Sequence, residues 1–151
     1  MALIGLISDT HGLLRPEAVS ALAGCGRIIH AGDVGNPEIL DALGRIAPVT
    51  AVRGNVDAGA WAEALPQTAA VEGIYVLHNI HDLKIDPAAH GYRMVVSGHS
   101  HKPGSSEKSG VLYVNPGSAG PRRFRLPITV ARFDSAAATW RVEFIELRVT
   151  R

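Results

Sequence analysis

Short apolar segments alternate with helix-like segments in the first third of the chain, and this alternation most strongly constrains the fold. Ala2–Ile7 is an apolar run that fits a buried strand, and Pro16–Leu22 is helix-like until Gly24 and Gly26 end it. Arg27–His30 is a second short strand. An order of strand, loop, helix and strand predicts parallel pairing with right-handed crossovers.

The same order continues through a second predicted helix. Asn36 and Pro37 mark its start, with Asn36 as the N-cap and Pro37 at the first helical position, and the predicted helix runs to about Ile46. Pro48–Val52 is the third predicted strand. Ligands of such sheets gather in the crevice beyond the carboxyl ends of the parallel strands, so polar residues at those ends carry information about function.

The second half of the chain is richer in predicted strands. Ile74–Leu77 and Met94–Val96 are short apolar strands, separated by a predicted short helix that Asp86 caps. From Leu112 onward the pattern is mostly that of β-strands. Within the last of these, Arg141–Val149, the apolar positions change phase, which predicts a bulge or a strong twist. Val142 and Phe144 share one face, and the other face is taken over by Ile145, Leu147 and Val149.

These elements fit two β-sheets packed together with helices outside. The predicted fold class is therefore α/β, a two-sheet β-sandwich flanked by helices. A length of 151 residues suits one domain with a substantial core, and we predict a single domain over residues 1–151.

Charge and composition exclude several classes of function. A formal net charge of +1 provides no global field that would recruit nucleic acid or an acidic membrane. Cys25 is the one cysteine, so an intrachain disulfide is excluded. The start MALIGLISDTHG lacks a basic region and is too short for a signal peptide, and no apolar run approaches membrane length, so we expect a cytoplasmic protein. A homo-oligomer is left open.

Residues of metal-ligand type follow the predicted strands directly. Each of them alone is weak support for a site, because Gly-Asp and Gly-Asn are ordinary turn signals and a single histidine is more often a satisfied polar residue. Together they comprise two aspartates, one asparagine and four histidines, all at the same end of successive strands, which predicts a metal site. The seven residues are Asp9, His11, Asp33, Asn55, His78, His99 and His101.

The ligand types bound the metal. Imidazole and carboxylate without thiolate suit Mn, Fe, Zn, Co or Ni, and the amide oxygen of Asn55 favours a harder ion such as Mn. Seven ligands exceed what one tetrahedral ion uses. Two divalent ions that share one bridging carboxylate, about 3.5–4 Å apart, are the simplest arrangement.

The order of these motifs resembles the calcineurin-like metallophosphoesterase superfamily, and the short chain looks like its small bacterial and archaeal phosphodiesterase branch. The motifs are Asp9-x-His11, Gly32-Asp33, Gly54-Asn55, His78 and Gly98-His99-x-His101, and the resemblance covers Ala2 to about Gly120. It implies a four-layer α/β/β/α sandwich and hydrolysis of phosphodiester bonds.

The resemblance also implies ligand roles for two metal ions. A hydroxide shared by both ions is then the nucleophile, with its pKa lowered towards about 7. One ion is held by Asp9, His11, Asp33 and His101. The other is held by Asp33, Asn55, His78 and His99, with Asp33 as the bridge.

One position departs from the superfamily pattern. Many members carry histidine directly after the Gly-Asn pair, where it protonates the leaving oxygen or binds phosphate, but this chain has Val56. The small phosphodiesterase branch commonly lacks that histidine too. No side chain is then predicted to act as a general acid, and because such help is typically worth about 10²–10⁴-fold, poor alkoxide leaving groups should be cleaved slowly.

Charge favours a diester substrate over a monoester. Two divalent ions, two aspartates and a hydroxide sum to about +1, which a diester monoanion neutralises and a monoester dianion exceeds unless a cation helps. Arg53, Arg122 and Arg123 could supply one, and we assign substrate binding to Asn55 and Arg53. Whether His81, Asp57 or Arg122 contacts substrate is left open.

Two alternatives to a phosphodiesterase acting on a small phosphoester remain. One is a phosphomonoesterase or nucleotide pyrophosphatase on the same metal pair. The other is a protein-binding scaffold, because the small subunit of the retromer sorting complex resembles this fold and lacks parts of the ligand set. A nuclease is disfavoured because the sequence has no basic stripe and no separate DNA-capping domain.

Overall fold

The computed structural model describes residues 2–123 and 125–149, and within them the chain forms ten strands and three α-helices. The strands are β1 (Leu3–Ile7), β2 (Arg27–His30), β3 (Val49–Ala51), β4 (Thr68–Val71), β5 (Ile74–Leu77), β6 (Met94–Val96), β7 (Gly104–Lys108), β8 (Val111–Asn115), β9 (Thr129–Asp134) and β10 (Glu143–Glu146). The helices are α1 (Pro16–Leu22), α2 (Pro37–Gly44) and α3 (Ala60–Glu63), and a short 3₁₀ helix spans Ile80–Asp82.

The strands form two mixed five-stranded sheets. The first has the order β10-β9-β1-β2-β3 and the second the order β4-β5-β6-β8-β7. In the first sheet β1, β2 and β3 are parallel, and in the second β5, β6 and β8 are parallel. The carboxyl ends of the parallel strands in each sheet therefore lie at one edge. The predicted α/β two-sheet sandwich flanked by helices is confirmed.

The sheets are held together by alternating side chains. On β1, Ile4 and Leu6 pack with Ile74 and Val96 of the second sheet in the core between the sheets. Ile7 faces the opposite way, into a core that the helices cover. Because β1 is buried on both faces, its sequence is a continuous apolar run without polar alternation.

The outer face of the second sheet has a thinner cover. Its small cluster of buried residues packs against Ile80 and Leu83, which belong to the 3₁₀ helix and the loop that follows it. The predicted helix after Asp86 is wrong. His90 N–H reaches the carbonyls of Asp86 and Pro87, but the hydrogen bonds form one turn and no α-helix. An acidic residue followed by proline starts turns as readily as helices, which explains the error.

Of the bulge or strong twist predicted for the last strand, the bulge is wrong over Glu143–Glu146. β10 pairs with β9 in an uninterrupted register from Glu143↔Arg132 to Glu146↔Thr129. Phe144 packs in the core between the sheets, while Ile145 packs against the core under the helices. The apparent change of phase arises because this strand has apolar partners on both faces.

The second predicted helix begins where expected and ends earlier. Asn36 occupies the N-cap position of α2, although its side chain makes no capping hydrogen bond, and the helix ends at Gly44 instead of near Ile46. Across the described part of the chain, every helix is too short to cross a membrane.

Candidate metal centre

All seven candidate ligands lie on loops that leave the carboxyl ends of parallel strands. Asp9 and His11 follow β1, Asp33 follows β2 and Asn55 follows β3. In the second sheet the corresponding loops follow β5 and β6. They carry His78, His99 and His101.

Three of these residues form a first group on one side of the crevice. The ligand-type atoms of Asp9, His11 and His101 all lie within 4.8 Å of one another. The Nε2 atoms of the two histidines are 3.3 Å apart, and Asp9 Oδ1 is 3.5 Å from His101 Nε2 and 3.8 Å from His11 Nε2. Three candidate metal-ligand atoms, one from each residue, therefore converge on one small volume.

A second group lies beside it. Ligand-type atoms of Asp33, His78 and His99 also lie within 4.8 Å of one another. Asn55 joins them, because its Oδ1 is 2.9 Å from His78 Nε2 and 3.1 Å from His99 Nδ1. This group has the residue types that the resemblance assigns to the second ion.

Asp33 lies between the two groups. Its Oδ2 is 3.2 Å from Nε2 of His78 and 3.7 Å from Nε2 of His11. The other oxygen, Oδ1, accepts the backbone N–H of Val56 at 3.0 Å. One carboxylate oxygen is therefore held by the backbone while the other faces both groups.

Supporting hydrogen bonds orient two of the ligand candidates. Asp9 Oδ2 accepts from the Ser8 hydroxyl at 2.8 Å and from the His99 N–H at 3.2 Å, whereas Asp9 Oδ1 is buried without a hydrogen-bond partner. His78 Nδ1 donates to the carbonyl of Ala31 at 2.8 Å, so in the neutral ring the lone pair of Nε2 is directed at the crevice. Hydrogen bonds that orient a side chain through its other polar atom are typical of metal-ligating residues.

Burial shifts the pKa values of several titratable groups in this cluster. Burial raises the pKa of Asp9 to about 6. Burial, followed by the charge of Arg123, lowers the pKa of His101 to about 4. Burial also acts to lower the pKa of His78, but the hydrogen bonds to Asp33 and Ala31 and the charges of Asp33 and Asp9 together outweigh it, so this pKa lies above its usual value. A neutral histidine beside a buried carboxylate is a good donor set for a divalent cation.

Left-handed backbone is concentrated at the candidate ligands. Among the described residues other than glycine, seven have positive φ, and two of these, Glu72 and Ser109, precede glycine in hairpin turns. Such conformations are strained for L-residues and cluster at functional sites. The other five are Asp9 (φ 55°), His11 (48°), Asp33 (56°), His99 (72°) and His101 (64°).

Two glycines let the loops approach closely. A Cβ on Gly54 would overlap the backbone nitrogen and Oδ1 of Asp33. A Cβ on Gly98 would overlap the Ser8 hydroxyl and would lie 2.7 Å from Asp9 Oδ2. The glycine before Asn55 and the glycine before His99 therefore permit contacts between loops from different strands.

His30 supports the site from behind. It is fully buried, its Nδ1 accepts the Gly32 N–H at 3.1 Å, and its Nε2 is 3.0 Å from the Thr10 hydroxyl, which itself donates to the Val34 carbonyl. Burial lowers the pKa of His30 to about 4, so the ring is neutral and Nε2 carries the proton. This series of hydrogen bonds fixes Thr10, the residue between Asp9 and His11.

Asp57 has a positioning role that the sequence did not reveal. Its carboxylate accepts the backbone N–H groups of Val34, Gly35 and Gly54 at 3.2, 2.9 and 2.9 Å. It thereby ties the loop after β2 to the loop after β3. An aspartate three residues after a glycine is a common local turn partner, and this spacing was the available signal.

The remaining residues of interest are peripheral. Asn79 caps the 3₁₀ helix by accepting the His81 N–H at 3.1 Å, and His81 itself is exposed. Arg122 is exposed. Arg53 is half-buried and lines a cavity beside Asn55.

The donor set fits divalent metal ions. It consists of imidazole nitrogens, carboxylate oxygens and one amide oxygen, in two adjacent groups of the size that one ion requires. The buried and unpartnered Asp9 Oδ1 fits the same conclusion, because a buried carboxylate oxygen without a donor is costly unless a cation satisfies it.

The fold and the site together are those of a metal-dependent phosphoesterase. The sequence model of the calcineurin-like phosphoesterase superfamily domain matches residues 2–138, and the chain belongs to this family. A probable metallophosphoesterase of Methanothermobacter thermautotrophicus is 34% identical over 149 residues, covering 87% of this chain and 86% of that protein. The family uses divalent metal ions.

Solved structures share the fold at lower identity. An archaeal phosphodiesterase superposes with a TM-score of 0.77 at 22% identity, covering 95% of this chain and 99% of that chain. Vps29 of Chaetomium thermophilum superposes with a TM-score of 0.75 at 19% identity, covering 97% of both chains. The fold is thus found both in a phosphodiesterase and in Vps29.

Proposed function

We propose that this metallophosphoesterase hydrolyses phosphodiester bonds with two divalent metal ions. The observation that carries the proposal is the pair of ligand groups with Asp33 Oδ2 between them, 3.2 Å from His78 Nε2 and 3.7 Å from His11 Nε2. A carboxylate in this position suits a bridge between two ions.

The proposed ligands divide by group. One ion is held by Asp9, His11, Asp33 and His101, and the other by Asp33, Asn55, His78 and His99. We propose Mn as the metal, with Fe, Zn, Ni and Co as alternatives, because the donors are nitrogen and oxygen without thiolate. When bound, such a pair supplies Lewis-acid stabilisation of the phosphoryl oxygens and a water of lowered pKa.

The chain's own residues position the substrate. We assign substrate binding to the amide of Asn55, which is exposed at the crevice, and to the half-buried guanidinium of Arg53. Val56 is 49% exposed and presents only methyl groups, while its N–H is used by Asp33. The leaving oxygen therefore obtains no proton from the residue after Asn55, which favours esters with good leaving groups.

Two alternatives stand beside this proposal. A phosphomonoesterase or nucleotide pyrophosphatase would use the same ligands, and the balance of charge at the site favours the diester. A non-catalytic scaffold is favoured by the similarity to Vps29. Metal binding alone does not separate an enzyme from a scaffold, because the same ligands hold an ion in either case.

The test combines metal content with turnover. We expect the protein loaded with Mn to hydrolyse bis(p-nitrophenyl) phosphate with a higher kcat/KM than p-nitrophenyl phosphate. Asp33→Ala and His78→Ala are expected to lower metal content and to lower kcat/KM by roughly 10²-fold or more, because each removes a proposed ligand. Asp41→Ala and His90→Ala change the same residue types at exposed positions and serve as matched controls.

The outcomes separate the readings. Preference for the monoester would favour the monoesterase. Bound metal without hydrolysis of either ester, with any of the five metals, would favour the scaffold. Full activity and metal content in Asp33→Ala and His78→Ala would exclude the proposed site.

A further inference from the structure

A cavity of about 590 Å³ opens beside one of the two ligand groups. Asn55, His78 and His99 form part of its wall, so it is continuous with the proposed site of the second ion. Its volume lies within the range of about 300–1,000 Å³ that is typical of small-molecule sites.

The cavity extends away from the two ligand groups in one direction. Its far wall is formed by Tyr75, on the outer face of β5, and by Gln67 and Thr68 at the start of β4. Asp9 and His101, of the other ligand group, do not contribute to its lining. A phosphate bound over both groups would therefore direct one of its two ester substituents into the cavity.

The charged residues of the lining have a positive balance. Arg53 and Lys84 both line the cavity, and Asp82 is the acidic residue of its wall outside the ligand groups. In the described ranges the ion pairs of arginine are Arg27–Glu72 and Arg132–Glu143, and neither Arg53 nor Lys84 pairs with a carboxylate. A half-buried guanidinium without an ion-pair partner is available for an anionic ligand.

We propose that this cavity binds one substituent of the phosphodiester and that this substituent carries a second phosphate group, recognised by Arg53 and Lys84. The inference rests on the proposed function and names the substrate class for the same site. Arg53 and Lys84 outnumber the single carboxylate of Asp82, so the lining keeps a net positive charge that attracts an anionic group. Arg53 offers a planar fork that bonds two phosphate oxygens, and Lys84 adds a second positive charge.

Other occupants fit the lining less well. Tyr75 and Leu77 offer apolar contacts, but an acyl chain or other wholly apolar substituent would also desolvate Gln67, Thr68 and Arg53 without giving them partners. A cationic substituent would be repelled by the two basic side chains, of which only one positive charge is offset by Asp82.

The experiment compares two esters with the same leaving group. Thymidine 5′-(p-nitrophenyl phosphate) has an uncharged substituent, and thymidine 3′-phosphate 5′-(p-nitrophenyl phosphate) adds the second phosphate. At one fixed ionic strength, we expect kcat/KM of the Mn-loaded protein to be roughly tenfold higher for the second ester. The readout is this ratio, which cancels differences in metal loading and in leaving group.

Variants of the lining should change the ratio in opposite directions. Arg53→Gln and Lys84→Gln are each expected to lower it by roughly threefold or more, and Asp82→Asn to raise it, because the positive balance falls or rises. Lys108→Gln removes an exposed lysine on β7, away from the cavity, and should leave the ratio unchanged. Because Lys84 is exposed, its variant tests the idea even where Arg53→Gln does not fold.

The failure of this inference differs from the failure of the proposed function. Hydrolysis of both esters with a ratio near one, or a ratio that both Arg53→Gln and Lys84→Gln leave unchanged, overturns the inference alone. Hydrolysis of neither ester overturns the proposed function. Calorimetric titration with thymidine 3′,5′-bisphosphate and thymidine 5′-monophosphate then decides the inference, and equal affinities would refute it.

Discussion

The histidines of this chain differ in what their ring nitrogens face. Those at the crevice have Nε2 or Nδ1 directed at carboxylate and amide oxygens, whereas both nitrogens of His30 are used inside the protein, by Gly32 and Thr10. Burial favours the neutral ring, and a protonated His30 would in addition place a second N–H against the Gly32 N–H. Neutrality of a fully buried histidine links stability to pH.

We predict that His30 makes the metal-free protein less stable in acid. The pKa of His30 is lowered to about 4 in the folded state against an ordinary 6.5, so the unfolded chain binds more protons as the pH falls through this window. The contribution of neutral His30 to the free energy of unfolding is complete above pH 6.5 and is lost towards pH 4. About 2 kcal/mol of this contribution is lost between pH 7.5 and pH 5. Urea unfolding in the presence of a chelator measures the change.

The variant His30→Asn isolates this contribution. Its amide oxygen can accept the Gly32 N–H but does not titrate, so its stability should fall by about 2 kcal/mol less than that of the wild type over the same pH range. All other residues are the same in the two proteins, so their contributions cancel in the comparison. Parallel stability curves for the two proteins would contradict the prediction.

Single residues also differ in how far the sequence identifies them. The seven candidate ligands could be proposed because aspartate and histidine at strand ends are unusual together. Ser8, which donates to Asp9, and Asp57, which binds three backbone N–H groups, have ordinary residue types at ordinary turn positions. Ser8 contacts its own neighbour in sequence, but two of the three N–H groups that Asp57 accepts, those of Val34 and Gly35, lie on a loop distant in sequence, and no local pattern encodes that contact.

Among the helices and strands, the sequence predicts best those whose apolar residues form a recognisable run or periodicity. α1, β2, β5 and β6 have the bounds expected from apolar runs and their flanking glycines and prolines. β4 and β7 were not expected, because they are edge strands whose residues are mostly exposed, and β7 has the polar sequence GSSEK. Such strands form through hydrogen bonds to a neighbour and lack an apolar pattern.

The loops that carry the ligands give a second prediction. Gly98→Ala should destabilise the protein by about 1–3 kcal/mol and lower metal affinity by roughly 10–100-fold, because the added Cβ overlaps Ser8 Oγ and displaces the side chain that orients Asp9. Thermal unfolding and titration with Mn measure the two effects.

A matched control is available in α2. Gly44→Ala introduces the same methyl group where a Cβ meets nothing within 4 Å, at a helical residue. It should leave metal affinity unchanged and stabilise the protein by about 0.5 kcal/mol. Equal metal affinity in Gly98→Ala and Gly44→Ala would show that the close approach of Gly98 to Asp9 is irrelevant to the site.

At the scale of the whole molecule, the packing of one sheet on the other brings the two halves of the site together. Asp9, His11, Asp33 and Asn55 come from the first sheet and the remaining three ligands from the second. The sequence predicted both sheets but no distances between them, because the spacing depends on the side chains of the core. That residues 1–151 form one domain stays a prediction.

The complete crevice has a consequence for its reactions. With Val56 after Asn55 and no imidazole at that position, the leaving oxygen departs without a proton from this residue, so the rate should fall steeply as the pKa of the leaving alcohol rises. A series of aryl and alkyl diesters with one common substituent measures the slope of log kcat/KM against that pKa.

The variant Val56→His should make this slope shallower, because an imidazole at the exposed position can protonate the leaving oxygen. Single-turnover rates establish whether chemistry limits the reaction. A flat dependence in the wild type, under conditions where chemistry is limiting, would contradict the role given to the missing histidine.

The residues with left-handed backbone in the candidate metal centre limit how far this protein can be stabilised. At about 1 kcal/mol each, five strained positions store about 5 kcal/mol, which is comparable with the net stability of a small domain. Replacing His99 or Asp33 by glycine would relax the backbone while removing a ligand. Selection for thermal stability alone should therefore erode the centre, and a stabilised descendant that keeps these ligand candidates must acquire its gains elsewhere in the chain.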